Sequence, residues 1–130
     1  MSERRARILV VDDDVTILGV VAEALRDEGY LVEEALNGAE ALIQARRARP
    51  DAILLDLMMP VLDGWGFVEA FHREPEASSI PIVILSAANR LSETAQRLQS
   101  MGVRACLAKP FDLDVLLAVV DRLTRDASPA

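Results

Sequence analysis

The stretch "ILVVDDDVT", residues 8–16, joins an apolar run directly to three consecutive aspartates. Four branched apolar residues in a row are typical of a β-strand that is covered on both faces. Adjacent like charges repel one another and lower stability. Asp12, Asp13 and Asp14 therefore need either exposure to water or a bound cation, and the rest of the chain has to distinguish these two cases.

Length, composition and charge exclude several classes of protein. The chain has 130 residues, 52% of them hydrophobic, which suits one domain with its own core. A net charge of -7 argues against direct nucleic-acid binding, which needs Lys/Arg patches. The single cysteine excludes an internal disulfide, and the short apolar run before the aspartates is too short for a signal peptide or a membrane span. We expect a soluble, cytoplasmic domain without membrane contact.

Strand-like and helix-like segments alternate along the whole chain. Apolar runs predict five strands, over 7–11, 30–35, 51–56, 80–87 and 104–108. Helical spacing and caps predict five helices, around 18–25, 38–48, 64–71, 91–102 and 112–125. Strict alternation implies an α/β fold, a doubly wound parallel sheet with helices on both faces.

Polar side chains occur at the carboxyl ends of four of these five strands. The first strand ends at Asp12, the third at Asp56, the fourth at Ser86 and the fifth just before Lys109. Ligands of open α/β sheets bind in the crevice outside that edge. The four placements together predict a site there.

These side chains fit phosphoryl transfer. Carboxylates from two strands suit Mg²⁺, which prefers oxygen ligands and keeps several waters. A neighbouring aspartate can attack phosphorus and form an acyl phosphate. Lys109 and Ser86 could then neutralise and hydrogen-bond the transferred group.

The first stretch also resembles the opening motif of haloacid-dehalogenase-type phosphohydrolases, an apolar strand followed by Asp-x-Asp-x-Thr. That resemblance implies an enzyme with Asp12 as nucleophile and Asp14 as acid/base, with Ser86 and Lys109 in the second and third motifs. The fourth motif is missing, because the acidic residues after Lys109 open a helix. The chain also lacks a cap segment.

A second resemblance covers residues 6–125. The segments "ILVVDDD", "PDAILLDLMMPVLDGWGF", "IPIVILSA" and "ACLAKPF" are similar to those of a receiver domain of a two-component response regulator, of the chemotaxis-type single-domain kind. The resemblance implies a flavodoxin-like, five-stranded parallel sheet in the order 2-1-3-4-5 with five helices. It implies one receiver domain over 1–130, with 126–130 as a tail or the start of a linker.

The receiver resemblance assigns a phosphoacceptor and a metal site. Asp56 would be the phosphoacceptor. Mg²⁺ would be the cofactor, with Asp13 and Asp56 as direct ligands, Asp12 acting through water and Met58 offering its backbone carbonyl.

The resemblance also assigns the residues that bind the phosphoryl group and signal its presence. Ser86, Lys109 and the backbone N–H of Ala87 would bind the phosphoryl oxygens. Receivers often hold the bond before the residue that matches Pro110 in the cis form. Where many receivers carry a switching aromatic ring, this chain has Cys106, so we expect the signal to pass through Ser86 and residues 87–90, or to have a smaller amplitude.

The predicted function is that of a phosphoacceptor and not of an enzyme with external substrates. A sensor histidine kinase or a phosphotransfer protein would phosphorylate Asp56, and the domain would catalyse only its own phosphorylation and dephosphorylation. The output would pass to a downstream protein target, without direct contact to nucleic acid. A receiver-like module that is never phosphorylated remains the third alternative.

The last predicted helix carries a surplus of apolar residues. One stripe comprises Leu113, Leu116, Leu117 and Val120, and a second comprises Val115, Val119 and Leu123. We expect a covered face, such as a homodimer interface through the fourth helix (91–102), the fifth strand and the fifth helix.

Three further residues have structural interpretations. Asp14 is expected to be a solvated turn residue or to start a helix, Cys106 to lie in the core as a small strand residue, and His72 to lie on the surface.

Overall fold

The fold is a five-stranded parallel sheet covered by helices on both faces. A computed structural model describes residues 6–56, 64–74, 79–87 and 103–127, with backbone alone for 64, 65, 72, 86, 87, 126 and 127. The strands are β1 (Arg7–Val11), β2 (Leu31–Ala35), β3 (Ala52–Asp56), β4 (Ile82–Ala87) and β5 (Val103–Lys109). The helices in these ranges are α1 (Val15–Asp27), α2 (Gly38–Arg47), α3 (Gly64–His72) and α4 (Leu113–Ala127).

The sheet has the order β2-β1-β3-β4-β5, and all four pairings are parallel. This order confirms the predicted topology. The predicted helix over 91–102 lies outside the described residues, so α4 corresponds to the last predicted helix. No helix in the described part of the chain is long and apolar enough to cross a membrane.

The buried strand β1 separates two cores because its side chains alternate between the faces of the sheet. Leu9 and Val11 pack on one side with α2 and α3, whose largest contributors are Phe67 and Phe71. On the other side, the buried residues of β1 pack with α1 and α4. A continuous apolar run was therefore the correct sign of a strand buried on both faces.

Local signals explain the helix ends next to this sheet. The Asp14 side chain accepts hydrogen bonds from the backbone N–H groups of Thr16 (2.9 Å) and Ile17 (3.2 Å), which caps α1. After α1, Gly29 has a φ of 97°, in the left-handed region that glycine adopts without strain. The loop that carries the three aspartates is therefore held between β1 and a capped helix.

The second apolar stripe predicted on the last helix was wrong. Leu123 lies three residues after Val120, so it continues the stripe that faces the core, and it is buried there. Val119 is half-buried against the same core. Only Val115 of the three is exposed, at 49%. Among the described residues, α4 therefore offers much less spare apolar surface than its sequence suggested.

Candidate phosphoacceptor and metal site

Three carboxylates meet at the carboxyl edge of the sheet. Asp12 follows β1, Asp56 ends β3, and these two strands are hydrogen-bonded neighbours. One oxygen from each of Asp12, Asp13 and Asp56 lies within 4.8 Å of the other two. Asp12 and Asp56 are buried, whereas Asp13 is exposed. The cluster is therefore open to water on the side of Asp13.

Lys109 brings the fifth strand into this site. Its Nζ lies 2.9 Å from Asp12 Oδ2 and 3.4 Å from Asp56 Oδ2. The peptide bond between Lys109 and Pro110 is cis, as expected. Burial by itself would lower the pKa of the Lys109 ammonium, but its contacts with Asp12 and Asp56 outweigh that, and the pKa lies above its ordinary value. The side chain is therefore a permanent cation at neutral pH.

Hydrogen bonds hold both the side chain and the backbone N–H of Asp12. Its Oδ1 accepts a hydrogen bond from the backbone N–H of Asp14 at 2.9 Å, and its Oδ2 accepts one from Lys109 Nζ. Its own N–H donates to the carbonyl of Ala35 at 3.1 Å. A carboxylate that is 0% exposed is tolerated only when its oxygens are paired in this way.

The three consecutive aspartates thus occupy three different environments. Asp12 is buried and ion-paired, Asp13 is exposed beside the carboxylate cluster, and Asp14 caps α1. The helix-start interpretation of Asp14 is confirmed. The expectation that each aspartate needs either water or a bound cation needs correction, because Lys109 compensates Asp12 and the first turn of α1 compensates Asp14.

Alanine and asparagine at position 14 should separate the cap from the charge. We expect Asp14→Ala to lower the free energy of unfolding by about 1 kcal/mol, because two N–H groups of α1 lose their acceptor. Asp14→Asn keeps an acceptor oxygen and should cost less than half of that. Urea denaturation measures both. Equal losses of unfolding free energy in the two variants would contradict the capping role and attribute the effect to the lost negative charge of Asp14.

Several of the remaining predicted site residues are described by the structure only in their backbone or not at all. In the β4–β5 register Ser86 lies opposite Ala108, and Ala87 lies opposite Lys109, so both are at the edge that carries the site. Their side chains, and the whole of Met58, lie outside the described part of the structure, as does the side chain of His72. The roles of Ser86, Ala87 and Met58 therefore stay predictions.

Cys106 lies on β5 opposite Ile84, half-buried against the core on the α2 and α3 side. Burial raises the pKa of its thiol, so at neutral pH it is a protonated, weakly nucleophilic group. This supports the prediction of a small packing residue.

Sequence reasoning missed a groove beside the site. An apolar groove of about 500 Å³ lies between α1 and the segment before α4. Its lining includes Ile17, Val20, Lys109, Pro110 and Phe111. Ile17 and Val20 lie outside the four fully buried positions of α1. Their apolar character was the signal that could have indicated it.

The sequence model of the response regulator receiver domain matches residues 8–121, which include most of the described sheet and of α4. The chain therefore belongs to the response regulator receiver domain family. The receiver domain is a signalling domain of two-component systems. The comparisons do not support the phosphohydrolase alternative, and the geometry gives a reason. Both oxygens of the supposed nucleophile Asp12 are engaged, and the supposed acid/base Asp14 is turned toward α1.

Individual relatives agree with the family. The chain is similar to the transcriptional regulatory protein PrrA of Mycobacterium leprae, at 42% identity over 92% of this chain and 50% of PrrA. It is similar to the DNA-binding dual master transcriptional regulator RpaA of Synechocystis, at 36% identity over 92% of this chain and 49% of RpaA. The chain thus spans about half the length of the curated relatives that it matches.

Solved structures agree in fold. The chemotaxis response regulator CheY4 of Vibrio cholerae superposes with a TM-score of 0.85 at 37% identity, over 92% of this chain and 99% of CheY4. The receiver domain of the Francisella response regulator 1452 gives a TM-score of 0.86 at 29% identity, over 95% of this chain and 100% of that domain.

Proposed function

We propose that this receiver accepts a phosphoryl group on Asp56, with Mg²⁺ bound by the neighbouring carboxylates. The observation that carries the proposal is the grouping of Asp12, Asp13 and Asp56 within 4.8 Å, with the Lys109 ammonium beside them. Phosphoryl transfer needs an oxygen nucleophile, a cation on the transferred group and little else from the protein.

The donor set fits Mg²⁺. Carboxylate oxygens are ligands of the kind that Mg²⁺ prefers, and the exposed side of Asp13 leaves room for the waters that it retains. Asp13 and Asp56 would hold the ion directly, with Asp12 acting through water. Bound there, Mg²⁺ supplies positive charge against the oxygens of the transferred phosphoryl group.

The residues of this chain have distinct roles in the transfer. An oxygen of Asp56 forms the bond to phosphorus while the bond between phosphorus and the donor breaks, which leaves an acyl phosphate. Lys109, whose Nζ is 3.4 Å from Asp56 Oδ2, can form an ion pair with the oxygens of the phosphoryl group on Asp56. The Ser86 hydroxyl and the Ala87 N–H would bind the same oxygens from β4.

The partners follow from this role. The donor would be a sensor histidine kinase or a phosphotransfer protein, and the recipient of the signal a downstream protein. The added charge of about −1.5 to −2 is enough to reorder a neighbouring loop. The relatives named above are transcriptional regulators, so a transcriptional output elsewhere in a longer protein fits equally. We place the domain in the cytoplasm, together with its kinase.

Metal dependence provides the test. Incubation with a small acyl phosphate and Mg²⁺ should add a single phosphoryl mass to the intact protein, and a chelator should abolish it. Asp13→Asn should slow the addition at least about tenfold, since it removes a ligand of the ion. Asp121→Asn is the matched control, because Asp121 is an exposed aspartate of α4 and pairs with Arg125.

Two results would contradict the proposal. Labelling that is independent of metal, or equal in Asp13→Asn and wild type, would remove the metal site. No adduct under conditions that label a control receiver would favour the module that is never phosphorylated.

A further inference from the structure

Lys109 contacts the same carboxylates, those of Asp12 and Asp56, that a metal ion bound at this site would use. The ammonium contacts one oxygen of each buried carboxylate, Asp12 Oδ2 at 2.9 Å and Asp56 Oδ2 at 3.4 Å. Its side chain is only 22% exposed, so these contacts are not shared with bulk solvent as a surface ion pair is. The lysine therefore serves the metal-free site and not only a phosphorylated one.

The charge balance of the site points in the same direction. With its three carboxylates ionised and Lys109 protonated, the cluster has two net negative charges, the amount that one divalent cation neutralises. Without the lysine it would have three. Three clustered carboxylates without this ammonium, two of them buried, would be more costly in the absence of metal and would bind a cation more strongly.

We infer, on the basis of the proposed function, that Lys109 is an internal counter-ion that weakens metal binding. It pairs with Asp12 and Asp56 when no metal is bound, and it repels the ion that enters beside it. Even with the full screening of water, a single positive charge about 5 Å from a divalent ion lowers its affinity on the order of tenfold, and this is the minimum effect. The same residue that favours phosphoryl transfer thus keeps the metal exchangeable.

The test compares metal affinities by titration calorimetry with Mg²⁺ at pH 8. Lys109→Met should bind Mg²⁺ about tenfold more tightly than wild type. Lys109→Arg retains the charge and should stay within about twofold to threefold of wild type. Arg104→Met removes one positive charge from an exposed position on the same strand and should have no effect beyond twofold.

Thermal melting gives a second, independent readout. Without metal, Lys109→Met should melt at a lower temperature than wild type, because Asp12 and Asp56 lose the ammonium that compensates their buried charges. Saturating Mg²⁺ should raise its melting temperature by more than it raises that of wild type. A folded Lys109→Met protein that binds Mg²⁺ equally or more weakly would overturn the inference.

An Asp12→Asn background guards against a variant that does not fold, since it removes the most buried charge. Within it, adding Lys109→Met should again tighten Mg²⁺ binding, and no change would count against the inference. Asp13→Asn separates the two proposals. If it binds Mg²⁺ as wild type does, the metal site itself is wrong. If Asp13→Asn loses Mg²⁺ binding while Lys109→Met binds Mg²⁺ no more tightly than wild type, only the counter-ion role is wrong.

Discussion

The substitution Asp56→Asn should reduce phosphoryl incorporation from a small donor to background, a loss of at least about a hundredfold. An amide is a poor nucleophile toward phosphorus, so the variant lacks the oxygen that is proposed to attack it. The other buried carboxylate, Asp12, has both oxygens engaged by the Asp14 N–H and by Lys109. The variant keeps the shape of the side chain, so β3 should remain intact.

The matched control for this variant is Asp51→Asn. Asp51 lies directly before β3, at the end of the strand opposite to Asp56, and its Oδ2 accepts the backbone N–H of Arg7 at 2.8 Å. It should lose some stability but keep the wild-type rate of phosphorylation. A phosphoryl adduct that persists in Asp56→Asn would contradict the assignment of Asp56 as the phosphoacceptor. Equal losses of phosphorylation rate in the two variants would contradict it as well. The rates are measured by intact-mass spectrometry over time.

The largest effect on stability is expected for Phe67→Ala, at about 3–5 kcal/mol in the free energy of unfolding. Phe67 is 0% exposed and stacks on Phe71 with ring centroids 5.3 Å apart. The same core holds Ile53 and Leu55 of the strand that ends at the phosphoacceptor. Removing the ring leaves a cavity that this strand and α3 cannot close.

Urea denaturation compares this variant with Val115→Ala. Val115 is an apolar residue of α4 that is 49% exposed, so its truncation should cost no more than about 0.5 kcal/mol. A cost below about 1 kcal/mol for Phe67→Ala would contradict the packing of α3. A large cost for Val115→Ala would indicate that this face is covered.

The sequence carried enough information for the fold because each strand could be recognised locally. The run over 8–11 is apolar at every position, and the structure divides it between two cores as the pleat requires. Caps were equally local, since the partners of Asp14 are only two and three residues away. The fourth and last described helix was misjudged at Val119 and Leu123, because a list of apolar positions does not define how wide the buried arc is.

The site was predictable in its members but not in its contacts. Strand ends placed Asp12, Asp56 and Lys109 at one edge, since parallel strands finish on the same side of a sheet. The ion pair between Lys109 and Asp12 joins residues 97 positions apart, and its existence depends on how β5 is set against β1 across two intervening strands. No local pattern encodes that distance, and so the sequence predicted Lys109 at the site but not its ion pair with Asp12.

The most direct test of the central claim is to locate the phosphoryl group in the wild-type chain. Protein labelled with a small acyl phosphate and Mg²⁺ is treated with borohydride, which reduces an aspartyl phosphate to homoserine, and the fragments are sequenced by mass spectrometry. The account predicts homoserine at position 56 and at no other aspartate. Homoserine at position 12 or 13, with Asp56 unchanged, would contradict it.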